Sequence, residues 1–266
     1  FKGGGQVLGG LWSLAKVGVL ATGAALSFAA KQAIDFEDAF ANVRKTVEDT
    51  PEALDALKVS LKDLSTRIPI SFADLAGIAT QAGALGVPTK NIVAFTDVVA
   101  RLSAATVGLT PEAAADAFGK LGNVLKLSGG DYERAGSSLV KLGNNAASAE
   151  VDIIEVAKRF GAAGHQAGLS ASAILGWAST IASLGIEPES AGTSLSRFFN
   201  NINLYIGTGS EKLKSFAAVS HKTVAQFTKD YKEDASAALV DFLAGLSKLD
   251  KFQAAAALKA AGISNS

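Results

Sequence analysis

Glycine–aliphatic pairs recur along this sequence, and five of them punctuate it: Gly86-Val87, Gly108-Leu109, Gly168-Leu169, Gly185-Ile186 and Gly262-Ile263. Each pair reads as a helix stop. The glycine takes a left-handed conformation that other residues avoid, and the aliphatic side chain folds back on the last turn. After the first four, a capping residue or a proline-led start follows directly, at Pro88, Thr110, Ser170 and Glu187-Pro188. Connections this short make consecutive helices fold back on one another. As one straight helix the 266 residues would reach about 400 Å; a chain with so many stops is a compact bundle instead. The stops are separated by 22, 60, 17 and 77 residues, and that irregularity argues against a solenoid repeat.

Starts are equally well marked. Thr50-Pro51-Glu52 and Thr110-Pro111-Glu112 each place a capping hydroxyl before a proline at the first helical position, then an acid in the positive first turn. Ser71-Phe72-Ala73-Asp74 is a capping box with Asp in place of the usual Glu. Helices are expected near 7–47, 51–67, 72–84, 90–106, 111–127, 131–145, 151–166, 171–184, 188–204, 211–219, 223–230 and 232–261, the last broken near Leu249. About 50 residues are Ala, the strongest helix former, and aromatic residues are 7% of the chain. The one stretch with extended character, 203–206, is too short to build a sheet. The expected fold class is all-α: a multi-helix bundle with a long, apolar, heptad-like N-terminal helix and short glycine-terminated helical hairpins.

That first helix has a pattern of its own. Leu8, Trp12, Ala15, Val19, Thr22, Leu26, Ala29, Ala33, Phe36, Phe40, Val43 and Val47 follow alternating steps of four and three, and eleven of the twelve are apolar. Nearly everything from Val7 to Ala30 is apolar, so the informative half is the second, where charged residues such as Lys31, Glu37, Asp38 and Arg44 fill the other positions. Two readings fit. The helix packs on its own bundle, or copies of the chain associate through it, with Leu8, Trp12, Val19, Leu26, Phe36, Phe40, Val43 and Val47 as the candidate self-association or membrane seam.

Gly3 to Ala30 carries a single charge, Lys16, and is long enough to span a bilayer, which takes about 20 residues. It lacks the leading charges and small-residue cleavage step of a secretory signal. Phe160 to Ile186 has no Asp, Glu, Lys or Arg, but the stop at Gly168 prevents one spanning helix. Burial within a bundle, or between copies, accounts for both stretches. For the first, a membrane-active segment shielded until release is the sharper alternative.

The chain offers little chemistry. It has no Cys and two His, His165 and His221, which excludes disulfides, thiol nucleophiles and thiolate zinc sites and leaves no metal-ligand cluster. Its 25 basic and 25 acidic residues balance, which does not suit a protein that grips phosphates. Ser13-Leu14-Ala15-Lys16 and Ser138-Leu139-Val140-Lys141 match the Ser-x-x-Lys pattern of some acyl-transfer enzymes without the accompanying elements. Gly207-Thr208-Gly209 lacks a preceding strand and a third glycine. Paired acids such as Glu37-Asp38 and Glu233-Asp234 read as solvated helix faces. No catalytic, cofactor-binding or metal residues are expected, and no cofactor. The absence of Met predicts a piece of a longer chain.

One set of segments, taken in order, points to a family. Ile34-Asp35-Phe36-Glu37-Asp38-Ala39-Phe40-Ala41-Asn42-Val43 is followed by Ile68-Pro69-Ile70-Ser71-Phe72-Ala73-Asp74-Leu75 and Gln81-Ala82-Gly83-Ala84-Leu85-Gly86. Gly168-Leu169-Ser170, Gly185-Ile186-Glu187-Pro188-Glu189 and Ala191-Gly192-Thr193-Ser194-Leu195-Ser196-Arg197-Phe198-Phe199 come next. From about Phe36 to Ile206 this resembles the core region of phage tail tape measure proteins, and the likeness weakens after Gly207.

The resemblance implies a non-enzymatic structural protein of the virion, assembled in the host cytoplasm and held inside the tail tube or at the tail tip. It would set tail length and leave ahead of the DNA at ejection. Its partners would be other copies of itself, as a trimer, tail tube and tip or hub proteins, and the host membrane on ejection; sequence-specific nucleic-acid binding is not implied. The expected organisation is a long apolar helix over 1–47, a helical core module over 48–206, and a C-terminal helical extension over 207–266 that links to a longer region. A helical membrane-active or pore-forming protein unrelated to tails is the alternative.

Overall fold

Hydroxyls and carboxylates start most of the helices. In the computed structural model, which describes residues 36–106 and 108–263, Thr50 Oγ1 accepts from the Ala53 N–H and Thr110 Oγ1 from that of Ala113. Ser71 Oγ accepts from the Asp74 N–H at 3.1 Å and its hydroxyl donates back to Asp74 Oδ2 at 2.6 Å. Such caps satisfy backbone donors that a helix leaves unpaired in its first turn.

Thirteen helices and no strand lie among the described residues, so the fold is all-α. The first, α1, is described over 36–46. The others are α2 (Pro51–Arg67), α3 (Phe72–Ala84), α4 (Thr89–Ala105), α5 (Pro111–Leu125), α6 (Asp131–Asn145) and α7 (Glu150–Gln166). They continue with α8 (Ala171–Ser183), α9 (Pro188–Thr208), α10 (Leu213–Val219), α11 (Val224–Glu233), α12 (Ala235–Leu246) and α13 (Lys251–Ala260).

Boundaries differ from expectation at two places. α9 runs to Thr208, so 203–206 is helical: Ile202 and Tyr205 continue its buried face, and the left-handed Gly209 ends it. The break expected near Leu249 falls between Leu246 and Lys251, and the junction expected at residue 231 falls at Asp234 instead. Asp234 caps the end of α11 and the start of α12, its N–H donating to Asp230 O and its carboxylate accepting from Ala237 N–H. Asp250 then starts α13 by accepting from the N–H groups of Phe252 and Gln253.

The helices alternate between two layers. α2, α4, α6 and α8 pack side by side in one; α3, α5, α7 and α9 do so in the other. α1 joins the second layer beside α3, where the Thr46 hydroxyl donates to Thr80 O at 2.9 Å and Gly83 leaves room for Thr46 and Val47. The second-layer helices α3, α5, α7 and α9 begin at Phe72, Pro111, Glu150 and Pro188, intervals of 39, 39 and 38 residues.

The buried register repeats with them. Phe40, Ala79, Phe118 and Ala157 stand 39 residues apart in α1, α3, α5 and α7 and are all fully buried; Val43, Ala82, Leu121, Phe160 and Phe199 do the same through α9. In the first layer Leu61, Val99, Leu139 and Ser179 hold one row at intervals of 38, 40 and 40. The expectation of no solenoid repeat is therefore overturned. α1–α9 is an α-solenoid of helix pairs about 39 residues long, each pair packing on the next.

The C-terminal helices close the α9 end. α10 packs on α9, α11, α12 and α13, and α11 packs on α12. Phe216 of α10 is the hub, its ring centroid 4.7 Å from that of Phe242, 5.6 Å from Phe227 and 6.5 Å from Phe198. Trp177 of α8 ties the cluster to the first layer, its Nε1–H reaching Ser236 Oγ on α12 at 3.4 Å.

Candidate interaction surfaces

The described part of the apolar seam faces inward. Phe40, Val43 and Val47 are buried in the chain's own core, and Phe36 is half-buried with its ring against Phe72, centroids 3.9 Å apart. Around this row α1 and α2 are laced by charge. Lys58 pairs with Glu37 and lies 5.2 Å from the Phe36 ring centre, and Arg44 pairs with Asp55 at 3.0 Å. The Lys58 ammonium holds the Glu37 carboxyl below its ordinary range. The outward side of α1 is polar or charged at Glu37, Asp38, Asn42, Arg44 and Lys45. Leu8, Trp12, Val19 and Leu26, and the stretch Gly3 to Ala30, lie outside the described residues.

The helix-stop glycines Gly86, Gly108, Gly168, Gly185 and Gly262 sit at turns with φ between 68° and 85°. Gly86 illustrates the geometry: its N–H donates to Gly83 O, and that of Val87 to Ala82 O, while Val87 folds back into the core. Two further ends use the same left-handed step without glycine, at Lys126 and His221, both with φ of 53°. No Gly-aliphatic pair flags them in the sequence.

Among the described residues no group of three His, Cys, Asp or Glu could hold a metal ion. Ser138 Oγ shares a hydrogen bond with Ser172 Oγ at 2.9 Å, not with Lys141. The strongest polar constellation is Lys222, whose ammonium sits 2.7 Å from Asp230 and 2.8 Å from Asp241. These two carboxylates raise its pKa. They come from α11 and α12, so the constellation ties the C-terminal helices together. Burial pushes the Tyr231 hydroxyl upward, and it donates to Asn203 Oδ1 on α9 at 3.1 Å.

Recesses and exposed apolar side chains remain among the described residues. A small cavity of about 140 Å³ lies where α9, α10 and the 261–263 segment meet, lined by Arg197, Phe198, Asn201 and Tyr205 among others. A shallow groove of about 620 Å³ runs between α4 and α6, with Asp97, Arg101, Glu133 and Lys141 on its rims. Gly136 forms its floor because a Cβ there would overlap Val98. Large apolar side chains reach solvent at Val59 on α2 (68% exposed), at Leu184 and Ile186 in the α8–α9 turn, at Leu204 on α9, at Val240 and Leu243 on α12 and at Phe252 on α13 (75% exposed). No described helix is long and apolar enough to cross a membrane.

Comparison with known proteins gives one match. The family model described as phage-related minor tail protein covers residues 58–262, more than three-quarters of the chain, from within α2 to beyond α13. It passes through Gly207, where the tape measure resemblance was expected to weaken. No curated protein and no solved structure matches.

Proposed function

The chain belongs to the phage-related minor tail protein family, and from that premise we propose that this phage tail protein is a tail tape measure protein. In this reading it is a structural component without catalytic activity that sets tail length, occupies the tail tube or tip with other copies of itself, contacts tube and tip proteins, and leaves ahead of the DNA. The observation that supports it is the extent of the family match, which takes in the array from within α2 to α9 together with the ordered segments from Ile68 to Phe199 that resemble tape measure cores. Helices folded back on one another by short turns do not make the long extended helix of a ruler, so in this reading the measuring segment lies outside these residues. Shortening that segment in frame shortens the tails seen in micrographs in proportion; unchanged tail length overturns the assignment.

A second reading, membrane activity, is favoured by the stretch Gly3 to Ala30 with its lone Lys16. A peptide of residues 1–30 then binds liposomes while the chain lacking them stays soluble. No binding ends this reading and leaves the first intact.

A further inference from the structure

We propose that the cavity between α9, α10 and the 261–263 segment is a binding site for a small carboxylate with an apolar body. Arginine usage marks the place. The chain has six arginines, and five of them, Arg44, Arg67, Arg101, Arg134 and Arg159, each pair with a carboxylate. Arg197 has no ion pair and donates no hydrogen bond among the described residues, yet it lines this cavity at the solvent-open mouth. Ser194 and Asn201 stand beside it at helical spacing on the same stripe of α9, and their side chains are equally without a hydrogen bond among the described residues.

The lining selects an anion. It contains no Asp or Glu, and each polar side chain on it can donate: the Ser194 hydroxyl, the Arg197 guanidinium, the Asn201 amide and the Tyr205 hydroxyl. Tyr205 is more than nine-tenths buried, and its oxygen accepts from the Lys212 ammonium at 3.1 Å, which leaves the phenolic proton free to donate into the cavity. A second positive charge therefore stands at the cavity wall. Gly262 closes that wall without a side chain, since a Cβ there would come 2.7 Å from the Tyr205 hydroxyl and 2.9 Å from the Lys212 ammonium. The remaining walls are apolar, from Phe198, Ile202, Phe216 and Ile263. Inorganic phosphate gains nothing from such walls. A carboxylate on a short branched chain fills them and offers the two coplanar oxygens that a guanidinium fork matches. At about 140 Å³ the space is close to the roughly 150 Å³ that holds a benzene ring, which limits the apolar body to a few carbons. Such a group comes as a free acid or as the C-terminal residue of a peptide.

This inference does not rest on the tape measure reading, and its failure leaves the family and the tail role untouched. The probe is isovalerate, titrated into the full-length chain by calorimetry at low salt, with isovaleramide as its neutral isostere. Isovalerate binds one to one with a dissociation constant on the order of 1 mM or tighter, at least tenfold tighter than the amide or inorganic phosphate, and added salt weakens it. Arg197→Gln removes a charge at the open mouth and Tyr205→Phe only a hydroxyl; far-UV circular dichroism and melts without ligand check that both fold. Arg197→Gln weakens binding at least tenfold and Tyr205→Phe about threefold, while Arg101→Gln on α4 leaves it unchanged. The peptide Gly-Gly-Val, with its carboxylate free or amidated, separates the two sources: a free-acid peptide that binds more tightly than isovalerate assigns the site to a chain end, and one that binds more weakly assigns it to a free acid. Three outcomes overturn the proposal: no binding of isovalerate, an amide bound as tightly as the acid, and Arg197→Gln binding like the wild type.

Discussion

The array α1–α9 and the C-terminal cluster α10–α13 solve the same burial problem in different ways. In the array, α2–α9 are helices of 13 to 21 residues that follow one another in two layers, and a single buried register recurs about every 39 residues. Small residues let the helices approach: a Cβ on Gly136 would meet Val98, and one on Gly192 would meet Arg159. The cluster has helices of only 7 to 12 residues. It is held by rings around Phe216, by Lys222 between two carboxylates, and by carboxylate caps at Asp234 and Asp250. Length and repetition distribute stability along the array. In the cluster it is concentrated on a few side chains.

The largest effect tests that concentration. Phe216→Ala costs about 4 kcal/mol, and hydrogen exchange shows α10–α13 losing protection while α2–α6 keep theirs, as expected when each helix pair depends on its neighbours. Equal loss throughout would make the two regions one cooperative unit. Next come two glycine substitutions at helix crossings. Gly245→Ala costs about 3 kcal/mol, because its Cβ would meet the Val219 backbone carbonyl. Gly136→Ala costs about 1 to 2 kcal/mol, since the Val98 side chain can rotate away and alanine favours helix. Thermal melts that rank them in the reverse order break the distinction between rigid and yielding contacts.

Lys222 gives a smaller effect with a pH signature. Its pKa is raised in the fold, so its contribution is fully present below the unfolded lysine value of about 10.4 and is lost as pH rises through the folded value. Lys222→Met costs about 1 kcal/mol at neutral pH and removes that part of the alkaline destabilisation, read from denaturant midpoints between neutral and alkaline buffer. The smallest effects are gains, one in each region. Lys126→Gly and His221→Gly relieve left-handed backbone and stabilise by up to about 1 kcal/mol each; a lower denaturation midpoint for either refutes the strain.

The same two residues explain what could be read from the sequence. Many helix starts and five of the stops were legible, since a capping hydroxyl, a proline or a Gly-aliphatic pair is a local chemical signal. The repeat was not. The helices α3, α5, α7 and α9 end at left-handed Gly86, Lys126, Gly168 and Gly209, spaced 40, 42 and 41 residues apart, but a lysine hides the second member. The core rows hide in another way, because one position is Phe40, Ala79, Phe118 and Ala157 in turn. A large ring in one layer is met by small residues elsewhere, so volume is conserved across the interface while identity is not. The inward use of Phe40, Val43 and Val47 was one of two open readings, and heptad spacing alone does not choose between them. The cavity beside Arg197 carries no motif; it emerges only when the fold brings α9, α10 and the 261–263 segment together.

A shared register has one more consequence. Excising residues 111–149 would remove α5 and α6 together and bring α7 against α3, where Ala157 and Phe160 would stand in the rows that Phe118 and Leu121 now occupy beside Ala79 and Ala82. The scaffold is thus editable in whole helix pairs, with side-chain volume at the new junction as the remaining mismatch. A lineage could lengthen or trim it by duplication or loss of one such unit, without inventing a new interface.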